Sequence, residues 1–251
     1  MSRFNVCPGG VTGSHVALRW LWEQSRGGSS PLPGTKFREA KFARRSSCAA
    51  RAKAGNSIIH PMLNIPVILG SIREGRKSYF PAVLLVEKLK AAGVESQLVD
   101  FTEIVLPILN CDREPYEYKK VYPNPEVQKW SNIADKADGF IIVTPEYNHG
   151  YPSVLKNALD WLFPEYERKA VGLVGVSNGP VGGARALAAL RQVISALNMF
   201  SVRETVMFAK VQNVFDADGK LLDESYNKKI DGLIASVLWT AEALKQAKRT
   251  A

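Results

Sequence analysis

The chain has 251 residues, 46% of them hydrophobic, which is enough for one ordinary domain with a buried core and an additional segment. No apolar run approaches the roughly 18 residues of a membrane-spanning helix, which argues against a membrane protein. The net charge is +9, but residues 1–63 hold ten basic and two acidic residues and leave only +1 for the other 188. Because basic residues drive nucleic-acid binding through counterion release, this nearly neutral part argues against a nucleic-acid partner.

Residues 1–63 form a basic extension without a sustained helical or strand period. They are rich in Gly, Ser and Arg and poor in acidic residues, a composition that predicts disorder. Three interpretations fit: an organelle transit peptide, a basic tail, or a segment foreign to the protein because Met62 is the true start. We favour the third interpretation and a cytoplasmic location; a transit peptide would place the protein in an organelle.

The three cysteines are Cys7, Cys48 and Cys111, and their spacing fits neither a zinc site nor a redox pair. An odd number of cysteines suits free thiols in a reducing compartment. We therefore expect no metal site.

After Met62 short apolar runs alternate with segments of helical spacing. The first run, from Ile65 to Leu69, ends at Gly70 and predicts a buried strand. A loop with four prolines spans 102–125 and follows the second strand. The predicted strands span 65–69, 94–101, 139–144, 170–176 and 201–208, and the predicted helices span 82–89, 127–137, 154–163, 182–197 and 226–247.

This alternation predicts an α/β three-layer sandwich over residues 64–251, with a parallel sheet between two layers of helices. Five strands joined by right-handed crossovers predict the strand order 2-1-3-4-5. In an open sheet of this order, ligands bind beyond the carboxyl ends of the strands, between strands 1 and 3. We therefore expect the loops after strands 1, 3 and 4 to meet at one site.

The loop after the first strand runs from Gly70 to Ser78 and leads into a helix N-terminus. Free backbone N–H groups and the positive end of the helix dipole favour a phosphate there. Ser71 and Ser78 offer hydroxyl donors, and Arg73 offers a charged fork. The alternative is an ordinary turn in which Ser78 is the N-cap. The loop has neither the glycine pattern of an NAD-binding fold nor that of a P-loop.

The loop after the third strand, 144–152, combines two tyrosines, an asparagine and a histidine. Its backbone groups and aromatic side chains suit a planar heterocycle such as a flavin. Glu146 is a candidate general base, although the sequence shows no partner for it. His149 is more typical of a surface or capping histidine than of a catalyst.

The loop after the fourth strand, 177–185, places three glycines before a helix. Gly179, Gly182 and Gly183 predict a bare, flat surface against which a large planar ring can lie. A flexible loop without a ligand is the alternative, but the convergence of three unusual loops favours a binding site.

Four groups of residues within 65–210 carry a resemblance to a known family. They are Gly70-Ser71-Ile72-Arg73 with Gly75-Arg76, Pro145-Glu146-Tyr147-Asn148 with Pro152, Leu155-Lys156-Asn157-Ala158 with Asp160-Trp161, and Gly182-Gly183-Ala184-Arg185 with Leu190-Arg191. With them the chain resembles the NADPH-dependent FMN reductases of the flavodoxin-like fold, which include quinone, azo and chromate reductases. Many members place a serine three residues after the arginine, where this chain has Arg76 and so resembles a Gly-x-Arg subgroup.

The resemblance implies an FMN cofactor, with its phosphate on the first loop, its ring along the second, and the nicotinamide of NADPH near the third. The residues implied for the cofactor are Ser71, Arg73, Arg76, Ser78, Pro145, Glu146, Tyr147, Asn148, Ser177, Gly179, Gly182 and Gly183. Candidates for the 2′-phosphate of NADPH are Arg73, Arg76, Lys77 and Arg185.

The resemblance also implies hydride transfer from NADPH through FMN to a small acceptor such as a quinone, without a catalytic triad. A flavodoxin-like electron carrier and a flavin-binding regulatory module are the alternatives, and NADPH turnover separates both from a reductase. The helix at 154–163 carries more apolar residues than one sheet face needs. Because the family commonly dimerises through this region, we expect a homodimer or homotetramer.

Overall fold

The computed structural model describes residues 62–250, which contain a five-stranded sheet of order β2-β1-β3-β4-β5. All neighbouring strands are parallel, so the predicted fold class and strand order are confirmed. The predictions for the basic extension lie outside the described residues, apart from positions 62 and 63. The strands are β1 Val67–Leu69, β2 Leu98–Asp100, β3 Gly139–Pro145, β4 Ala170–Val176 and β5 Phe200–Phe208.

Helices cover both faces of the sheet and complete the flavodoxin-like three-layer sandwich. One apolar core lies between the sheet and the first and last helices, and a second lies between the sheet and the three middle helices. Among residues 62–250, no helix combines the length and apolar character that crossing a bilayer requires. The helices are α1 Tyr79–Ala91, α2 Pro125–Lys136, α3 Ser153–Asp160, α4 Ala184–Ala196 and α5 Ser225–Thr250.

The central strands match their predicted bounds better than the edge strand β2 does. Every residue of β4 is buried, because helices cover both faces of the sheet. The sequence predicts strand from 94 to 101, but β2 has three residues. The pairing continues to an isolated bridge between Asn64 and Glu95, and it is interrupted where the hydroxyl of Ser96 donates to the carbonyl oxygen of Ile65 at 2.7 Å. The helix predicted over 154–163 ends at Asp160. Pro164 opens a 3₁₀ turn there, and the residue before a proline avoids helical geometry.

The apolar residues at 154–163 lie mostly inside this chain's own core. Leu155, Leu159 and Leu162 are buried in the second core, whereas Phe163 is 41% exposed. The excess apolar surface that the sequence indicates is therefore largely internal, and α3 does not by itself require a partner.

Lys169 is a buried cation that caps the C-terminus of α2. Its Nζ donates hydrogen bonds to the carbonyl oxygens of Ala134 at 2.6 Å and Asp135 at 2.9 Å. Carbonyl groups in the last turn of a helix lack partners inside the helix, so the lysine satisfies them. Burial, reinforced by the positive charge of Lys248, lowers the pKa of Lys169 to about 8.

The free energy of unfolding is expected to rise as the pH increases from about 8 to 10. In the unfolded chain Lys169 keeps its proton up to its ordinary pKa of 10.5, so unfolding takes up a proton in this window and a higher pH opposes it. Asp135 and Asp138 raise the pKa and Lys120 lowers it, but burial outweighs them. The full shift corresponds to about 3 kcal/mol.

Urea unfolding of the wild type and of Lys169→Met across this pH range measures the effect. Methionine keeps the apolar stem without the titrating amine, so the variant should show a flatter pH dependence whatever its absolute stability. Parallel pH curves for the two proteins would contradict the assignment.

Candidate functional site

A cavity of about 590 Å³ lies at the carboxyl ends of the strands. The loops after β1, β3 and β4 all line it, as the strand order predicts. Its volume falls within the roughly 300–1,000 Å³ that is usual for small-molecule sites. The predicted site residues that line it are Ser71, Arg73, Arg76, Ser78, Pro145, Glu146, Tyr147, Ser177 and Gly179, whereas Asn148, Gly182 and Gly183 do not.

The loop after β1 holds a buried hydroxyl without a hydrogen-bond partner. Ser78 is 2% exposed, and its Oγ has no partner among residues 62–250. Ser78 stands at the N-cap position of α1, as the alternative interpretation has it, but its side chain makes no capping hydrogen bond. Because burying an unpaired hydroxyl is unfavourable, its position suits a ligand with oxygen atoms.

Ser71 connects the loop after β1 to the loop after β3. Its Oγ accepts a hydrogen bond from the N–H of Arg73 at 3.3 Å and lies 3.0 Å from the hydroxyl of Tyr147, with which it is also hydrogen-bonded. Ser71 is buried, whereas Tyr147 is 38% exposed. This contact therefore joins the ends of two neighbouring strands, β1 and β3, at the cavity.

The cationic side chains of the cavity differ in whether a carboxylate neutralises them. Asp100, at the end of β2, pairs with one of them, Arg76, and Glu146 pairs with Arg185 at 3.0 Å. Arg73 and Lys77 have no carboxylate partner within the part of the chain that the structure describes. Within the described residues, an anion in the cavity therefore meets two unpaired cations, Arg73 and Lys77, and one unpaired carboxylate, Glu74. The four cations are Arg73, Arg76, Lys77 and Arg185.

Glu146 caps the N-terminus of α4. Its carboxylate accepts hydrogen bonds from the backbone N–H of Arg185 at 3.1 Å and from the Arg185 guanidinium at 3.0 Å. Burial raises the pKa of Glu146, but hydrogen bonds from Arg185 and from the N–H of Ala186 outweigh burial and lower it. The structure supplies the partner that the sequence did not show, which is Arg185. A lowered pKa makes this carboxylate a weaker proton acceptor, so the geometry favours a structural role for Glu146 over that of a general base.

Residues 147–150 form a two-residue hairpin turn. The N–H of Tyr147 donates to the carbonyl oxygen of Gly150 at 2.8 Å, and the N–H of Gly150 donates back at 2.9 Å. Asn148 and His149 have φ angles of 49° and 68°, the left-handed geometry of a type I′ turn. Both residues shape the turn and lie outside the cavity lining, so the structure does not bring Asn148 together with the other predicted residues.

Gly182 and Gly183 do not form the bare surface that the sequence predicts. Both are buried. A Cβ atom on Gly182 would lie 2.8 Å from the Cβ of Met207, and one on Gly183 would lie 3.0 Å from the backbone nitrogen of Val176. These glycines therefore let the loop pack directly on β4 and β5, and Gly179 is the glycine of this loop that lines the cavity.

A fourth segment, after β5, also lines the cavity and is absent from the sequence predictions. Val211 and Gln212 contribute to the lining from the 3₁₀ turn Val211–Asn213. Backbone N–H groups of this segment donate to the carbonyl oxygens of Ser177 at 3.1 Å and Gly179 at 3.0 Å. The signal was available in the strand order, because β5 lies beside β4 and ends at the same edge.

Residues 63–213 match the family described as NADPH-dependent FMN reductase. The chain is 35% identical over 179 residues to an NAD(P)H-dependent FMN reductase of Pseudomonas aeruginosa, covering 68% of this chain and 92% of that protein. It is 29% identical to an NAD(P)H:quinone oxidoreductase of Solanum tuberosum over 74% and 96% of the two chains. The solved structure of the flavoenzyme NAD(P)H:(acceptor) oxidoreductase FerB from Paracoccus denitrificans aligns with a TM-score of 0.58 and 26% identity, over 71% and 97% of the chains. With these matches and this site, the chain belongs to the NADPH-dependent FMN reductase family.

Proposed function

We propose that this chain is an FMN-dependent oxidoreductase that takes hydride from NADPH and delivers it to a small acceptor such as a quinone. Family membership supports the cofactor and the electron donor. The relatives from Solanum tuberosum and Paracoccus denitrificans, named for a quinone and for an acceptor, support the class of final acceptor.

The observation that carries the proposal is that one loop of the cavity holds both the buried hydroxyl of Ser78 and the guanidinium of Arg73, which has no carboxylate partner among residues 62–250. Both residues line the cavity where α1 begins. The first N–H groups of a helix have no partner inside the helix, and the helix dipole favours an anion at this end. At the start of α1, Pro81 has no N–H and the N–H of Tyr79 donates to the carbonyl oxygen of Arg76 at 3.4 Å, which leaves the N–H of Phe80. A hydroxyl and a guanidinium at the positive end of a helix suit a phosphate monoester, so the first loop fits the phosphate of FMN.

The loops after β3 and β4 form the walls that would contact the flavin ring of FMN. Pro145 and Tyr147 would line one part of it, and Ser177 and Gly179 another. Glu146 would act indirectly, because its carboxylate is bound to Arg185 and holds the start of α4 in place. The residues after β5 hold Ser177 and Gly179 in place through backbone hydrogen bonds.

Bound FMN would supply the hydride chemistry, and the protein would supply binding and orientation. The loop from Gly70 to Ser78 would hold the phosphate end of the cofactor and so fix its orientation without contacting the reacting ring. Fixed orientation is a large part of the catalytic effect when two planar partners must stack closely. Among the residues that line the cavity, no side chain is needed as a proton donor for the hydride step.

The proposal is tested by the visible spectrum of the FMN-loaded protein under anaerobic conditions. We expect NADPH to bleach the flavin absorbance and a quinone to restore it, with repeated turnover when both are present. The protein without FMN, and FMN without the protein, are the controls. A bound flavin that NADPH cannot bleach would favour an electron carrier or a regulatory module, and a protein that takes up no FMN would contradict the proposal.

We further propose that the chain forms a homodimer or homotetramer, with the segment beside α3 in the interface. Val105 and Ile108 are 66% and 75% exposed. Between them, the carbonyl oxygen of Pro107 accepts hydrogen bonds from Asn157 at 2.9 Å and Trp161 at 2.7 Å, which ties this apolar segment to α3. Light scattering should give at least twice the 27.7 kDa chain mass, and a monomer would contradict this part of the proposal.

A further inference from the structure

We infer that Asp100 is a positioning residue for the phosphate of the bound cofactor and that it acts through Arg76. The inference rests on the proposed function, because it concerns the same cavity. Asp100 ends β2, a strand whose following loop does not line the cavity, and Asp100 is itself not part of the lining. Its effect on a ligand must therefore pass through another residue.

The carboxylate of Asp100 is fixed at both oxygens. Asp100 is 6% exposed. Its Oδ1 accepts hydrogen bonds from the N–H of Thr102 at 3.0 Å and from the Thr102 hydroxyl at 2.9 Å. Its Oδ2 is bound to Nη2 of Arg76. Since Thr102 holds one oxygen, the other presents a rigid acceptor to the guanidinium.

The register of the sheet explains why this acceptor lies next to the phosphate loop. Asp100 on β2 is the partner of Leu69 on β1, and Leu69 directly precedes the loop that begins at Gly70. Parallel strands end at the same edge of a sheet, so the last residue of β2 lies beside the start of the loop after β1. The ion pair thus ties the middle of this loop, at Arg76, to the sheet.

Arg76 keeps a donor that Asp100 does not satisfy. Its side chain is 16% exposed and lines the cavity. Its Nε is buried and has no acceptor among residues 62–250. A buried donor without an acceptor is costly, and the Oγ of Ser78 in the same loop is in the same situation. Asp100 fixes one side of the planar guanidinium and thereby fixes the direction of its unpaired Nε–H, for which a phosphate oxygen is the acceptor that we assign.

The test compares FMN with riboflavin, which carries the same ring without the phosphate, in the Asp100→Asn variant. Asparagine keeps the shape but removes the charge that orients Arg76. We expect the Kd for FMN, measured by flavin fluorescence quenching, to rise about tenfold or more, with little change for riboflavin. Asp138→Asn is the matched control, because Asp138 pairs with Lys245 at 2.8 Å before β3, at the opposite end of the sheet. It should leave the ratio of the two Kd values unchanged.

Arg76→Gln should also weaken FMN binding. The double variant should bind FMN no more weakly than either single variant, because all three remove the same ion pair between Asp100 and Arg76. Unchanged FMN binding in Asp100→Asn would overturn the inference. Tighter FMN binding would also overturn it, since Asp100 would then be competing with the phosphate for Arg76. An equal weakening for both flavins with a lower melting temperature would leave Asp100 a structural role only. A wild type that binds neither flavin would overturn the proposed function, and this inference with it.

Discussion

Replacing Arg73 by glutamine is expected to raise the Kd for FMN by about ten- to hundredfold. Arg73 lines the cavity on the phosphate loop and has no carboxylate partner within residues 62–250, so its full charge is available to a phosphate. Hydrogen bonds to charged groups contribute about 1.5–3 kcal/mol, which corresponds to this range. Fluorescence titration with FMN measures the effect, and riboflavin should bind the variant as it binds the wild type.

The control for a general change of charge is Arg203→Gln, because Arg203 is exposed in the middle of the edge strand β5 and does not line the cavity. The control should bind FMN like the wild type. A loss in Arg73→Gln that is equally large for riboflavin would mean that Arg73 contacts the ring or supports the loop. Equal FMN affinity in Arg73→Gln and the wild type would remove Arg73 from the phosphate site.

Replacing Gly175 by alanine is expected to destabilise the fold by about 3 kcal/mol and lower the melting temperature by roughly 10 °C. A Cβ atom on Gly175 would lie 2.3 Å from the backbone carbonyl oxygen of Gly182. A backbone atom cannot turn away as a side chain can, so either β4 or the loop after it must shift. Thermal unfolding measures the loss, and FMN should bind more weakly because this loop carries Ser177 and Gly179.

Gly179→Ala provides the matched control for stability. The nearest atom to a Cβ there is the Oγ of Ser177 at 3.9 Å, an ordinary contact distance. The melting temperature of this variant should stay within a few degrees of the wild type. If Gly175→Ala were equally stable, the close packing of the loop on β4 would not be essential to the fold.

The fold and the position of the site were predictable because both depend on pattern and topology. The apolar run of β4 was predicted with the bounds observed, since burial on both faces leaves an uninterrupted signal. β2 was predicted too long, because a side-chain hydrogen bond of Ser96 interrupts the pairing between Glu95 and Leu98, which the apolar pattern cannot show. Once the order of strands is known, the loops after β1, β3 and β4 have to share one edge, whatever their residues.

The pairing of side chains within the site was not predictable, because it joins residues far apart in the sequence. Glu146 follows β3 and Arg185 lies in the first turn of α4, and neither segment shows by itself that this carboxylate meets this helix N-terminus. Glycines pose a related difficulty, because the sequence gives the same prediction for Gly179 and Gly182. Gly179 lines the cavity, whereas Gly182 packs against β5. A glycine is suited both to an exposed binding surface and to close backbone packing, so the residue type alone does not distinguish the two.

The cavity walls differ in how they are held. The segments after β3, β4 and β5 are bonded to one another through Glu146 and Arg185 and through the backbone at Ser177 and Gly179. The segment after β1 is joined to the segment after β3 by the hydrogen bond between the hydroxyls of Ser71 and Tyr147. The loop after β1 is also tied to the sheet by the ion pair of Arg76 with Asp100. The phosphate loop and the walls around the ring are therefore held in place by largely separate contacts. Substitutions in the phosphate loop could therefore change the affinity for the phosphate during evolution without changing the walls that contact the ring.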